Sequence, residues 1–169
     1  MSQTFLVAAI QTVSGTDVSA NLAAAARLVA QAASQGAKLV ALPEYFGLMG
    51  RQDTDKVTQR ETFGTGPMPA ALSAMAKEHK IWLAGGSVPL VCPDPARAFN
   101  SMLLYGPDGK LVSRYDKIHL FDFTGLGERY HESDTIYPGT QPVTCDTPLA
   151  HLACGVCYDL RFPELFRRM

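Results

Sequence analysis

The chain has no basic run of four or more residues, no cationic lead-in before its first apolar stretch, and no apolar stretch long enough to cross a bilayer. With a net charge of −1, it has no electrostatic basis for binding nucleic-acid phosphates or an anionic membrane surface. Neither is an expected partner. The segment Met1-Ser-Gln-Thr-Phe-Leu-Val-Ala-Ala-Ile10 lacks the charged start and the length of a signal peptide, so the expected compartment is the cytoplasm. The four cysteines, Cys92, Cys145, Cys154 and Cys157, are too few and too scattered for a disulfide framework, and reduced thiols are expected. Cys154-x-x-Cys157 has no second pair or His-x-x-x-His to complete a zinc site. Gly85-Gly86 lacks the further glycines and the Lys-Ser/Thr of a phosphate loop. No metal or organic cofactor is implied.

What remains is a globular composition, 47% hydrophobic and 18% charged over 169 residues. That length is expected to form one domain, residues 1–169, burying roughly 70% of its unfolded surface. Apolar runs predict strands over Phe5–Ile10, Lys38–Pro43, Ile81–Val88, Pro142–Thr147 and Leu149–Val156, the first of them buried. Helical spacing predicts an Ala-rich helix from Ser19 to Gln35, with Leu22, Ala26, Val29 and Ala33 on one face and Gly36 as its stop. A second helix is predicted over Pro67–His79. Phe99–Tyr105 and Lys110–Tyr115 flank Pro107-Asp-Gly109, a turn signal between paired strands. Residues 45–66 and 122–140, rich in Gly and polar groups, read as loops, and Pro163 opens a last helix. Strand–helix–strand order followed by paired strands argues an α/β fold with a mixed sheet.

Three residues in this frame can carry chemistry together. Glu44 follows the apolar run ending at Pro43, Lys117 closes the segment Arg114-Tyr-Asp-Lys117, and Cys157 sits where a strand gives way to a polar turn and helix. In open α/β sheets, ligands gather at the carboxyl ends of strands. A thiol is a poor nucleophile until deprotonated, and a neighbouring carboxylate can take its proton. An ammonium beside them would stabilise the thiolate and then an oxyanion. Such a trio can open an amide or a nitrile through a thioester-type acyl-enzyme that water then releases. Taken singly, each residue has an ordinary explanation: Glu44 as a surface carboxylate, Lys117 as a solvated strand-end charge, Cys157 as a small buried hydrophobe.

Leu42-Pro-Glu44, Tyr115-Asp-Lys-Ile-His-Leu-Phe121 and Cys154-Gly-Val-Cys-Tyr-Asp-Leu-Arg-Phe-Pro-Glu164 resemble, in order, the three signature blocks of the nitrilase (carbon–nitrogen hydrolase) superfamily. The resemblance covers essentially the whole chain. It implies an αββα sandwich with mixed sheets, Glu44 as general base, Lys117 as oxyanion-stabilising lysine, Cys157 as nucleophile and the Tyr158 backbone N–H as second oxyanion donor. It further implies that Glu132, in Tyr130-His-Glu-Ser133, orients Lys117 and the attacking water. His119-Leu-Phe-Asp122, Glu132-Ser133 and Pro138-Gly139 are most similar to the branch holding omega-amidases and deaminated glutathione amidases. That branch favours amide over nitrile, with a small carboxamide and water as reactants. Arg161 is a candidate for binding a substrate carboxylate, or for an ion pair with Glu164.

In the family the domain continues well past the nucleophile, and the helix starting near Phe162 contributes to a dimer interface. By that measure this chain is the N-terminal part of a single domain, incomplete, with an open edge near the Cys157 segment. A homodimer or higher oligomer is expected of the complete protein. Two alternatives stand beside the amidase: an inactive fragment or interaction-only module, and a thiol-redox protein using Cys154 and Cys157. The redox reading is opposed by geometry, because residues three apart on a strand face opposite sides, leaving Cys154 in the core. A Cys157–His119 dyad is the remaining minor possibility, a lone histidine beside an apolar run being more often structural.

Overall fold

A computed structural model describes residues 4–169; Met1–Gln3, part of the N-terminal stretch weighed above, lie outside the described residues. Strand β1 (Val7–Ala9) is followed by helix α1 (Val18–Ser34), β2 (Leu39–Ala41), a short α2 (Asp55–Thr58), α3 (Pro67–His79), β3 (Trp82–Ala84), β4 (Val88–Val91), β5 (Ala98–Tyr105) and β6 (Leu111–Asp116). These strands form one mixed sheet. β1, β2 and β3 run parallel, and β5 runs antiparallel to β3, β4 and β6.

The helices form where punctuation and period agree. The Asp17 carboxylate accepts the Ala20 N–H at 3.1 Å and caps α1. Its buried face is Asn21, Ala25 and Val29, one position N-terminal of the predicted stripe at its start, while Leu22, Ala26 and Ala33 pack partly buried beside it. The face shifts because Asn21 is drawn inward, its amide donating to the Gly15 and Gly47 carbonyls. α3 has the predicted bounds, opened by Pro67 and closed by Lys80 in the left-handed region. Both helices pack with one face of the sheet around Val40, Leu83, Leu103 and Phe46. Met102, next to Leu103 on β5, points the opposite way. It joins a smaller cluster with Tyr115, Cys154 and Val156.

Several predicted boundaries change. β1 is not buried: it is the edge of the sheet, and Leu6 and Val7 stay about half exposed. The strand read over Ile81–Val88 is two strands on the same edge of β5. Leu83 faces Tyr105 and Val88 faces Ser101, five residues along one chain against four along the other, so the Gly85-Gly86 region is a bulge. Residues 45–66 contain α2. Residues 122–140 are not merely loop, since β7 (Asp122–Gly125) and β8 (Glu128–His131) form a hairpin. The two last predicted strands shrink to β9 (Thr144–Asp146) and β10 (His151–Ala153), an antiparallel pair outside the main sheet. β10 therefore ends before Cys157, which lies in a 3-10 turn over Cys157–Arg161, and α4 (Pro163–Arg168) follows at the expected proline.

Gly86 locates the end of β2. Its φ is +58°, and a Cβ there would lie 2.1 Å from the Pro43 carbonyl oxygen. Only glycine lets the β3–β4 bulge press against the peptide before Glu44. Gly86→Ala is expected to destabilise the fold by about 2 kcal/mol or more, read as a lowered midpoint in thermal melts.

Candidate active site

Three segments far apart in sequence meet in a cleft of about 240 Å³ lined by Glu44, Tyr45, Lys117, Phe121, Tyr130, Glu132 and Cys157. Glu44 follows β2. Its successor Tyr45 has φ +54° and donates its backbone N–H to the Ser87 hydroxyl at 2.9 Å, so the strained turn is held from the neighbouring strand connection. Lys117 follows β6. Its N–H donates to the Asn100 carbonyl at 3.0 Å and its carbonyl accepts from the Gly139 N–H at 2.8 Å. Glu132 opens a 3-10 turn after β8. Its N–H reaches the Phe121 carbonyl at 3.1 Å, and its Oε2 accepts the Phe121 N–H at 2.8 Å. Cys157 has φ +49° and, as a residue, is exposed, with its sulfur turned to the cleft lining.

The Lys117 side chain is 2% exposed, and its Nζ lies 3.0 Å from Glu44 Oε1 and 2.8 Å from Glu132 Oε2. Burial opposes its charge, but Glu44 and Glu132 outweigh that effect and hold the ammonium above the usual lysine range. Two carboxylates against one ammonium leave one negative charge in excess. Neutral donors offset it. The Asn100 amide donates to Glu44 Oε1 at 2.8 Å and the Tyr45 hydroxyl to Glu132 Oε1 at 3.2 Å. Burial first, then the Glu132 and Glu44 charges, push the Tyr45 hydroxyl far above the ordinary tyrosine value, keeping it a donor. Burial likewise raises the Cys157 thiol. Glu44 raises it further by its charge and as an acceptor beside the thiol, while Lys117 pulls the other way. The thiol therefore rests protonated at neutral pH, next to an acceptor for its proton.

The structure thus brings Glu44, Lys117, Glu132 and Cys157 together, with Tyr158 next in the 3-10 turn. Arg161 is exposed, does not line the cleft, and has no ion pair with Glu164 or any other acid among the described residues. The His119 ring is engaged elsewhere: Nδ1 lies 2.7 Å from Asp159 Oδ1, and the ring stacks on Phe162 at 3.6 Å between centroids. Cys154 is buried and Cys157 exposed, both as free thiols; neither lies on a strand, since β10 ends at Ala153 and Cys157 opens the 3-10 turn, so their separation comes from that turn and not from strand alternation. No group of three or more His, Cys, Asp or Glu side chains that could hold a metal ion occurs among the described residues. Sequence reasoning missed Tyr45, Asn100 and Asp159. Tyr45 adjoins Glu44 and was within reach of inspection. Asn100 carries no local signal, and Asp159, though inside the Cys154–Glu164 block, shows its role only by what it touches.

The chain belongs to the carbon–nitrogen hydrolase family, whose model matches residues 6–169. It is 39% identical over 163 residues to the omega-amidase NIT2 of Homo sapiens, covering 95% of this chain and 57% of that protein. It is 36% identical over 167 residues to a deaminated glutathione amidase of Synechocystis sp., covering 96% and 61%. The crystal structure of the NitFhit protein of C. elegans matches it with a TM-score of 0.84 at 32% identity, over 94% of this chain and 39% of that one. The fold is therefore a partial nitrilase-type α/β architecture. The chain spans about three-fifths of the length of these curated relatives. No helix among the described residues is long and apolar enough to cross a membrane.

Proposed function

We propose that residues 1–169 are the N-terminal part of a single carbon–nitrogen hydrolase domain that cleaves the amide bond of a small carboxamide and releases ammonia. The observation that carries this reading is the convergence of the Cys157 thiol, the Glu44 carboxylate and the Lys117 ammonium on one cleft. In the proposed reaction Glu44 takes the thiol proton as Cys157 Sγ bonds to the carboxamide carbon. The carbonyl oxygen becomes an oxyanion that Lys117 Nζ and the Tyr158 N–H stabilise. Collapse breaks the carbon–nitrogen bond, and the proton held by Glu44 goes to the departing ammonia. Water then attacks the thioester, Glu44 taking its proton and returning it to sulfur as the carboxylic acid leaves. Glu132 orients Lys117 and the water.

The named relatives, an omega-amidase and a deaminated glutathione amidase, point to omega-amides and deaminated glutathione as first substrates to try. Four free thiols fit the cytoplasmic setting, and exposed Leu160 and Phe166, beside and on α4, fit a dimer of the complete protein. The test is an ammonia-release screen of small amides and the matching nitriles, run on this chain and on a version extended to family length. Ammonia from omega-amides supports the reading. Release by neither form defeats it and leaves the interaction-only alternative.

A further inference from the structure

Asp159 is fully buried and lies outside the cleft, yet donors from the segments on both sides of Lys117, and from the turn of Cys157, converge on it. Its Oδ2 accepts the Tyr115 hydroxyl at 2.7 Å and the Val156 N–H at 3.0 Å. Its Oδ1 lies 2.9 Å from the His119 backbone nitrogen, which donates to it, and 2.7 Å from the ring Nδ1. Tyr115 and His119 stand two residues before and two after Lys117, and Val156 immediately precedes Cys157. One acceptor-only group thus spans the two halves of the cleft that share no backbone pairing. A buried carboxylate with four directed donors is held in one geometry, because every alternative leaves a donor unpaired away from water. It also closes the 3-10 turn, the Asp159 N–H returning to the Val156 carbonyl at 3.1 Å, and so holds the left-handed backbone at Cys157.

We propose that Asp159 is the positioning residue that fixes the Cys157 sulfur against Glu44 and Lys117 by tying the flanks of the lysine to the turn carrying the cysteine. The inference rests on the proposed roles of those three residues and adds a fourth that touches no substrate. The charged groups facing Cys157 are Glu44, Lys117 and Glu132, with the Tyr45 and Tyr130 hydroxyls in the same cleft. The titratable side chains in contact with Asp159 are His119 and Tyr115. If Asp159 holds the sulfur in place, its loss frees the thiol from the environment that keeps it protonated.

The experiment reads iodoacetamide alkylation of Cys157 against pH by peptide mass spectrometry on this chain, with free cysteine as the reference thiol. In the unsubstituted chain the Cys157 midpoint lies above the reference, and Glu44→Gln lowers it. In Asp159→Asn the midpoint falls toward the reference, and adding Glu44→Gln moves it no further. An Asp159→Asn chain that keeps both the original midpoint and the full response to Glu44→Gln overturns the proposal. If circular dichroism shows Asp159→Asn unfolded, Tyr115→Phe decides instead, since it keeps the packed ring and deletes one of the four donors. A smaller shift in the same direction supports Asp159, and an unchanged midpoint overturns it. A Glu44→Gln single substitution that leaves Cys157 unmoved refutes the base–thiol pairing itself and takes this inference with it, whereas a failed ammonia screen alone leaves the alkylation result standing.

Discussion

Cys157→Ala is expected to eliminate ammonia release from a small omega-amide, a loss on the order of 10⁴-fold or more in kcat. The size of the effect follows from what sulfur does in the proposed cycle. Without it there is no acyl-enzyme, so Glu44 and Lys117 can only assist direct attack by water, a different reaction with a higher barrier. The same substitution at Cys154 gives the contrast. Cys154 is buried with Tyr115 and Val156, and burial drives its thiol away from ionisation. Cys154→Ala should cost about 1 kcal/mol of stability and leave most of the activity. Ammonia assays on the two variants in the family-length protein separate nucleophile from core. Full activity without the Cys157 sulfur would end the amidase reading.

The same residues show which parts of the molecule were readable in the sequence. α3 was bounded because Pro67 fixes a first turn and its apolar positions repeat at helical period. The β5–β6 hairpin was readable because Pro107-Asp-Gly109 allows little else. The β7–β8 hairpin was not, since its strands have no buried face, running exposed until Gly125 and His131, and so show no alternation. The strand before Cys157 is shorter than its sequence predicts, because Leu152 to Val156 stays apolar past the end of β10 at Ala153. The chain leaves the hairpin there anyway, Cys154 and Val156 turning into the small cluster with Tyr115. The convergence of Glu44, Lys117 and Cys157 could not be read from spacing, which contains no geometry across 73 and 40 residues. It came from the family resemblance, and the sheet supplies the physical reason: β2 and the β5–β6 hairpin place Glu44 and Lys117 against each other. Asn100 and Asp159 stayed invisible because a polar residue within or beside an apolar run gives no sign of which donors or acceptors await it.

The left-handed backbone in this molecule is also distributed unevenly. Of the four non-glycine residues with positive φ among the described residues, Tyr45 and Cys157 line the cleft. Each is held by a side-chain hydrogen bond, Tyr45 by Ser87 from the β3–β4 connection and the Cys157 turn by its own Asp159, which accepts the Val156 N–H. Strain of this kind persists only where surrounding contacts over-determine it. The cleft is therefore rigid by construction, which suits a site that must hold a thiol at one distance from both an acceptor and a cation.

That rigidity depends most on Lys117, and Lys117→Met is expected to cost about 3–5 kcal/mol of folding stability, a fall in melting midpoint on the order of 10 °C. Methionine fills the space but leaves Glu132, whose side chain is 3% exposed, beside Glu44 with no cation between them. The remaining donors are the Tyr45 hydroxyl, the Phe121 N–H and the Asn100 amide, which are neutral and cannot balance two carboxylates. Adding Glu132→Gln should recover part of the loss, because the variant then buries one fewer charge. The alkaline limb gives an independent check. The folded-state pKa of Lys117 lies above the ordinary lysine value of 10.5, so the lysine's contribution is present in full below about 10.5 and disappears as pH rises through the higher folded value. The stability gap between the unsubstituted chain and Lys117→Met, measured by thermal melts, should be constant near neutrality and close as pH climbs past about 10.5. A gap that is absent at neutral pH would mean that the ion pairs in the cleft do not hold the fold, and that the lysine serves chemistry alone.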